Sequence, residues 1–432
     1  MTVWVVRPGD PGWRSPLRGR LRVPGDKSIS HRALLLAARA DGRSLITGLS
    51  TGLDVGSTAA AVAAYGAEVE QRDTTSVAVT GGPGRLGEPF SIVDVGNSGT
   101  AIRLLAGWCA GLDGLSVLNG DDSVGNRPMD RVVEPLRAMG ASIDGRAGGR
   151  YAPLVIRGGP LHGIDYCPPV ASAQVKGAIL LAGLSAEGPT TVHEATPTRA
   201  HTEEMLAIAG ADVTMADGAV TVRRSSLRPV DVVVPGDPSQ AAFWVVAASI
   251  TAGSDLVVER VYIGPGRAEF LTVLRRMGAD ITVESFDDIE RTADLRVRGA
   301  SLLATEVGGA EVAGLIDEIP VLAIAAAFAH GTTTFADAVE LRFKETDRIA
   351  TMTSELAAVG IGVEGLPDGL AVRGSGGRAV PGGAVSSHGD HRVAMALAIA
   401  GLSASKGVSI EGWDAVATSY PGFEEDLHRC TS

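Results

Sequence analysis

The sequence predicts an α/β protein assembled from one strand–helix–strand unit repeated about six times, and three observations predict it. A phrase that ends a helix and starts a strand recurs along the chain of 432 residues. At least six helical segments have bodies of Ala, Leu and Val that are apolar on every side. Each of those segments opens on a short polar, often basic, first turn.

The recurring phrase first reads Ala63-Ala64-Tyr65-Gly66-Ala67-Glu68-Val69-Glu70. It returns as Arg137-Ala138-Met139-Gly140-Ala141-Ser142-Ile143-Asp144 and as Ala207-Ile208-Ala209-Gly210-Ala211-Asp212-Val213-Thr214. Two further copies centre on Gly278 and Gly360. Each is a helix stopped by a glycine one residue past its cap, then an alternating strand. Tight turns such as Asp217-Gly218 and Pro367-Asp368 then lead into a second strand. The spacing of these glycines gives a unit of about 70 to 80 residues, too long for the short-repeat solenoids. Five copies leave room for a sixth, degenerate one, and two domains of three units are expected.

The polar-mouthed helices follow in order. Lys27-Ser28-Ile29-Ser30-His31-Arg32 runs into Ala33 to Ala38, and Gly96-Asn97-Ser98-Gly99-Thr100 into Ala101 to Ala106. Ser172-Ala173-Gln174-Val175-Lys176 precedes Ala178 to Ala182. Asp317-Glu318-Ile319-Pro320 precedes Val321 to Ala329, Lys344-Glu345-Thr346-Asp347-Arg348 opens a segment closing at Gly360, and Asp390-His391-Arg392 precedes Val393 to Gly401. A helix apolar all round is buried in a large core. Its N-terminus offers unpaired N–H groups and the positive end of a dipole, which suit anions. Several such ends with Lys and Arg added describe a site for a small polyanionic substrate.

A formal charge of −12 argues against general nucleic-acid binding, and aromatics at 4% leave few stacking platforms. Cys109, Cys167 and Cys430 form no CxxC pair, which fits thiols in a reducing cytoplasm. Arg7, Asp10, Arg14, Arg18 and Arg20 interrupt any signal-peptide core, and the longest apolar helix bodies fall short of a bilayer span. A cytoplasmic protein that binds neither nucleic acid nor membrane is expected.

Lys27 and Arg32 read as two cations on one face of a core helix. Arg103, one turn into an apolar helix, requires an anion or a dense hydrogen-bond net. Arg127 stands in a loop before a helix. Asp317 reads either as a cap or as a functional carboxylate. Lys344, Asp347 and Arg348 share a helical face by spacing, with Glu345 pointing elsewhere, unless the run is simply a solvated, self-paired one. Asp390-His391-Arg392 has no other His or Cys at metal-ligand spacing, so His391 reads as a hydrogen-bond donor.

All these segments, in this order from Leu21 to Phe423, resemble the 5-enolpyruvylshikimate-3-phosphate synthases of the enolpyruvyl transferase family. The resemblance implies an inside-out α/β barrel, with two domains of three βαβαββ repeats and the active site in the cleft between them. Residues 1–21 plus 238–432 would form one discontinuous domain carrying the C-terminal catalytic motifs. Residues 22–237 would form the inserted domain, with most shikimate-3-phosphate contacts. The resemblance gives Lys27, Ser28, Arg32, Ser172, Ala173, Gln174, Thr198 or Arg199, Asp317 and Lys344 to shikimate-3-phosphate. It gives Asn97, Gly99, Arg127, Gln174, Arg348, His391 and Arg392 to phosphoenolpyruvate, with Lys27 shared. Asp317, Glu345 and Lys27 would be catalytic, no cofactor or metal is implied, and the chain would be a monomer.

Three departures lean towards the second, divergent class of the family. Ala173 stands where many members have a second serine, Glu340 where some have asparagine, and Thr418-Ser419-Tyr420-Pro421 lacks a lysine that many carry. The implied reaction adds a shikimate hydroxyl to C2 of phosphoenolpyruvate, protonates C3, then expels phosphate as C3 loses a proton. Asp317 suits the hydroxyl and Glu345 suits C3, with Lys27 the alternative proton carrier. UDP-N-acetylglucosamine enolpyruvyl transferase is the nearest rival, and its usual cysteine position here is Asp122. An RNA-end-processing or RNA-binding protein on a related repeat fold is opposed by the acidic charge.

Overall fold

The five recurring glycines, Gly66, Gly140, Gly210, Gly278 and Gly360, all lie in the left-handed region, with φ between +82° and +108°. Each ends a helix because an L side chain there would be strained, and a strand starts two or three residues later. These positions come from a computed structural model of the chain, which describes residues 2–7, 10 and 13–431. Met1 and Ser432, the outer ends of the expected discontinuous domain, lie outside the described residues.

The chain forms two compact units, Met1–Pro24 with Pro235–Ser432, and Gly25–Val234. The described residues form a mixed α/β fold of six small sheets, five four-stranded and one three-stranded, three to each unit. One sheet shows the plan. A short leading strand, Val93–Asp94, is followed by the buried helix Gly99–Ala110 and the strand Gly114–Asn119, which lies parallel to the first. The helix Asp130–Ala138 then leads to the hairpin Ser142–Gly145 and Tyr151–Gly158, whose second strand runs antiparallel to Gly114–Asn119.

Two sheets take their leading strand from a different stretch of chain. Arg18–Leu21 pairs in parallel with Asp255–Tyr262, although the helix directly after it, Lys27–Arg39, belongs to the other unit. Val232–Val233 likewise completes the sheet of Gly42–Thr47, and the next helix, Pro238–Ile250, belongs to the first unit. The chain therefore passes between units where a leading strand meets its helix. The sixth repeat is degenerate. Val408–Glu411 pairs in parallel with Gly383–Ser386, and the N-terminal strand Val3–Val6 supplies its antiparallel neighbour in place of a hairpin.

Every sheet contributes one deeply buried helix. These are Lys27–Arg39, Gly99–Ala110 and Ala173–Gly183 in one unit, and Pro238–Ile250, Ile319–Phe328 and His391–Leu402 in the other. All residues of Ile319–Phe328 and His391–Leu402 are buried, which is why their sequences show no polar face. The expected set needs one correction. Arg348–Ala358 is a half-buried second helix of its repeat, and Pro238–Ile250 takes its place among the buried ones. The cation at Arg348 drew attention to the wrong helix, while the mouth Asp237-Pro238-Ser239-Gln240 carries none. Among the described residues no helix is long and apolar enough to cross a membrane.

Buried helices approach closely through glycine. A Cβ on Gly107 would sit 2.0 Å from the Ala178 carbonyl oxygen of the neighbouring helix Ala173–Gly183. Gly56, on the exposed side of the helix Leu53–Ala64, has open space around it. Gly107→Ala is expected to lower stability by about 1–3 kcal/mol through overpacking, and Gly56→Ala to raise it by about 0.5–1 kcal/mol. Urea unfolding midpoints that move in the same direction would refute this packing.

Candidate active site

In the unit Gly25–Val234, the three buried helix mouths are joined by side chains. Asp26 caps the first helix by accepting from the Ile29 amide. Lys27, at the first helical position, pairs with Asp54 at 2.9 Å. Arg32 is buried and donates from Nε to Thr202 Oγ1 at 2.7 Å, from Nη1 to the Ser28 carbonyl at 2.9 Å, and from Nη2 to the Ala173 carbonyl at 3.4 Å. The expectation of one shared face for Lys27 and Arg32 is corrected. Five residues rotate a helix by about 140° past a full turn, so the two side chains diverge.

Ser98 and Ser172 cap the other two helices. Gln174 accepts from Arg103 Nη1 at 2.6 Å and donates to Thr100 Oγ1 at 2.9 Å, while Arg103 Nη2 donates to the Pro128 carbonyl at 3.1 Å. These two donations hold the Arg103 guanidinium between Gln174 and Pro128. Arg127 donates to Asn97 Oδ1 at 3.0 Å and Ser123 Oγ at 2.8 Å, and Asn97 in turn donates to Asp121 at 2.7 Å. A Cβ on Gly99 would lie 2.6 Å from Arg127 Nη1. The glycine therefore lets the guanidinium rest against the start of its helix. Thr198 donates its amide and hydroxyl to Glu194, and the half-buried Arg199 follows in the same loop.

His31, in the same buried mouth, shares a hydrogen bond with Thr58 Oγ1 at 2.7 Å. Burial, with the charges of Lys27 and Arg32 adding to it, holds its pKa well below the ordinary 6.5.

In the other unit, Arg348 organises the site. Its side chain is 1% exposed and meets Asp390 Oδ2 at 2.7 Å, Glu345 Oε2 at 2.7 Å and Asp317 Oδ1 at 3.5 Å. Burial acts to lower its pKa and is the largest single effect, but the three carboxylates together outweigh it and raise the pKa above the ordinary value. Asp390 is fully buried and caps its helix by accepting from the amides of Arg392 and Val393. Lys344 Nζ lies 3.4 Å from Asp317 Oδ1, and Arg392 Nη1 donates to the Asp317 carbonyl at 3.2 Å. His391 is buried at the first position of that helix. Among the described residues no group of His, Cys, Asp and Glu is arranged to hold a metal.

Two expectations are corrected here. Asp317 does not cap Ile319–Phe328, because Glu318 occupies the cap position and makes no side-chain cap bond. Asp317 faces Lys344 and Arg348 instead. Lys344 is not on the helix of Arg348. It ends the 3₁₀ turn Val339–Phe343 in extended backbone, so helical spacing does not apply to it. Asp347 caps Arg348–Ala358, and Glu345 turns back to Arg348 rather than away.

The sequence reading missed Asp54, the two carboxylates on Lys176, and a buried cluster at the mouth of Pro238–Ile250. In that cluster Arg267 donates to Asp237 at 2.8 Å and to Ser239 at 3.1 Å, and Ser239 donates to Glu318. The Asp237-Pro238 pair, a cap followed by proline at the first helical position, was the available signal.

The family described as EPSP synthase (3-phosphoshikimate 1-carboxyvinyltransferase) matches residues 13–427. The chain is 50% identical over 420 residues to the 3-phosphoshikimate 1-carboxyvinyltransferase of Synechococcus sp., covering 96% of this chain and 94% of that one. It is 51% identical over 419 residues to that of Gloeobacter violaceus, covering 96% of each. A solved EPSP synthase from Acinetobacter baumannii superposes with a TM-score of 0.87 at 40% identity, covering 99% of this chain and 98% of that one. The enolpyruvyl transferase NikO from Streptomyces tendae, at 18% identity and a TM-score of 0.75, covers 99% of this chain and 97% of that one and shares the fold. Fold and family match together define an enolpyruvyl transferase. The chain belongs to the EPSP synthase family, and its activity is 3-phosphoshikimate 1-carboxyvinyl transfer (EC 2.5.1.19) in the shikimate pathway. Family membership implies phosphoenolpyruvate and shikimate-3-phosphate as substrates.

Arg348→Met is expected to cost about 3–5 kcal/mol, because it leaves three carboxylates facing one another without their cation. Arg43→Met, which removes a surface pair with Glu70, should leave the denaturation midpoint nearly unchanged. Equal effects would refute the central place given to Arg348. His31 supplies a pH signature. The folded state refuses a proton that the unfolded state binds below about pH 6.5, so His31 lowers stability as pH falls through that value. His31→Gln should flatten the loss between about pH 6.5 and 5. An unchanged slope would show that His31 takes up a proton in the fold.

Proposed function

We propose that shikimate-3-phosphate and phosphoenolpyruvate bind in a cleft between two inside-out barrels, each built of three βαβαββ repeats. In this reading Ser28, Arg32, Ser172, Gln174, Thr198 and Arg199 hold shikimate-3-phosphate, with Asp317 and Lys344 at its reacting side. Ala173 offers no hydroxyl, so Arg199 supplies the missing phosphate contact. Asn97, Gly99, Arg127, Gln174, Arg348, His391 and Arg392 hold phosphoenolpyruvate, and Lys27 serves both substrates. The chain works as a cytoplasmic monomer without a metal or organic cofactor.

The observation that carries the catalytic assignment is the pair of carboxylates, Asp317 and Glu345, on either side of one buried guanidinium. Asp317 takes the proton of the 5-hydroxyl as its oxygen bonds to C2 of phosphoenolpyruvate, and Glu345 protonates C3. The C2–phosphate bond then breaks, C3 returns a proton to Glu345, and phosphate leaves. Arg127, Arg348 and Arg392 offset the charge that gathers on carboxylate and phosphate as this proceeds. A second reading gives the C3 proton to Lys27, and its 2.9 Å pair with Asp54 favours that reading by orienting the ammonium.

Positioned acid–base groups contribute about 10²–10⁴-fold in rate. Glu345→Gln is expected to lower kcat by that order and to slow exchange of solvent deuterium into C3 of phosphoenolpyruvate. Asp317→Asn should lower kcat while shikimate-3-phosphate still binds, and Arg127→Ala should mainly raise KM for phosphoenolpyruvate. If Glu345→Gln kept more than a tenth of wild-type turnover, Lys27 would take the role at C3.

A further inference from the structure

Lys176 is a charged side chain that the reaction does not use, yet it is almost wholly enclosed. It stands one turn into Ala173–Gly183, its amide bonded to the Ser172 carbonyl, and its side chain is 1% exposed. Its Nζ lies 2.8 Å from Glu194 Oε2 and 2.6 Å from Glu203 Oε1. A buried ammonium bridging two carboxylates is weak evidence for stability, since apolar packing often serves as well. Its value lies in what the carboxylates hold.

Glu194 ends the strand Thr190–His193 and turns its second oxygen to the loop beyond. That oxygen accepts from both the amide and the hydroxyl of Thr198. Glu203 lies in the first turn of His201–Ile208, the helix that the loop enters. The residue beside it, Thr202, accepts from Arg32 Nε at 2.7 Å. Gly177, next to Lys176, has no room for a Cβ, which would meet Thr202 Oγ1 at 2.9 Å and Arg32 Nη2 at 3.3 Å. One ammonium therefore ties together a helix mouth, both ends of the loop at 194–200, and the threonine that orients Arg32.

We propose that Lys176 is a positioning residue for the phosphate of shikimate-3-phosphate, fixing through Glu194 and Glu203 the loop that presents Thr198 and Arg199. This rests on the assignment of that loop to shikimate-3-phosphate made above. Lys176 touches no substrate and acts only through its two carboxylates. Charge relief within the triad is incomplete, because burial raises the Glu203 carboxyl above its ordinary range even though Lys176 opposes the shift. Removal of the ammonium leaves Glu194 without its anchor, so the loop loses its fixed position while the catalytic carboxylates of the other unit are unaffected.

The test compares Lys176→Met, Glu194→Gln and Arg199→Ala in the full chain, with KM for each substrate and binding of shikimate-3-phosphate against shikimate, which lacks the phosphate. Lys176→Met is expected to raise KM for shikimate-3-phosphate tenfold or more, with kcat and KM for phosphoenolpyruvate changed less than threefold. Its affinity for shikimate should stay within twofold of wild type, a selectivity that general loosening of the fold would not produce. Glu194→Gln leaves Lys176 and Glu203 as a neutral pair, so it should fold even if Lys176→Met does not. It is expected to raise the same KM threefold or more. If Arg199→Ala raises that KM while folded Lys176→Met or Glu194→Gln leaves it within twofold, the positioning role is overturned and the loop assignment stands. If Arg199→Ala and Thr198→Val also leave it unchanged, the loop assignment itself fails and the inference falls with it.

Discussion

A buried helix cannot leave its first-turn amides bare, and this constraint shapes both units. Each sheet contributes one helix whose apolar body is closed off from water, while several first turns stay partly exposed, as at Lys27, Ser28 and Gln174. Five of the six are closed by an Asp or Ser side chain, namely Asp26, Ser98, Ser172, Asp237 and Asp390. A cap satisfies one or two donors and leaves the dipole. The remaining positive end, with Lys27, Arg127 or Arg392 beside it, is the physical basis on which phosphate and carboxylate binding is proposed.

The two units meet this constraint with different chemistry. In Gly25–Val234, neutral oxygens of Thr202, Gln174 and Asn97 hold Arg32, Arg103 and Arg127 in place. Such bonds fix the direction of a guanidinium, while carboxylates in the same unit pair with Lys27 and Lys176. In the other unit, Lys344, Arg348 and Arg392 are matched by Asp317, Glu345 and Asp390. Those carboxylates neutralise the cations around which they gather, and they supply groups able to exchange protons.

How much of this was legible in the sequence follows from how local each signal is. The repeats could be read because a helix that ends on Gly66 or Gly278 needs a positive φ that only glycine adopts easily, and one residue type announces it. A sixth, degenerate repeat was expected too, but its outer strand could not be placed, because that strand is Val3–Val6, some 400 residues away in sequence. The helix Pro238–Ile250 was passed over because its mouth carries Asp237 and Ser239 rather than a cation, while its arginine, Arg267, arrives from a later loop. Asp54 is similar, a carboxylate on a second helix that meets Lys27 only in the fold. Pairings across sequence leave no mark on spacing.

The errors around Asp317 and Lys344 have one further cause. Helical periodicity was applied to residues just outside the helices, where the backbone is extended or in a 3₁₀ turn. Residues before a helix are those whose side chains can turn back across its mouth. Asp317 and Glu345 turn back to Arg348, and Lys344 turns to Asp317. A helix-face argument groups Lys344 with Arg348 and turns Glu345 away, whereas the fold brings Glu345 and Asp317 to Arg348 and Lys344 to Asp317. The residues immediately upstream of the first helical turn are therefore as much a part of the proposed site as those in it.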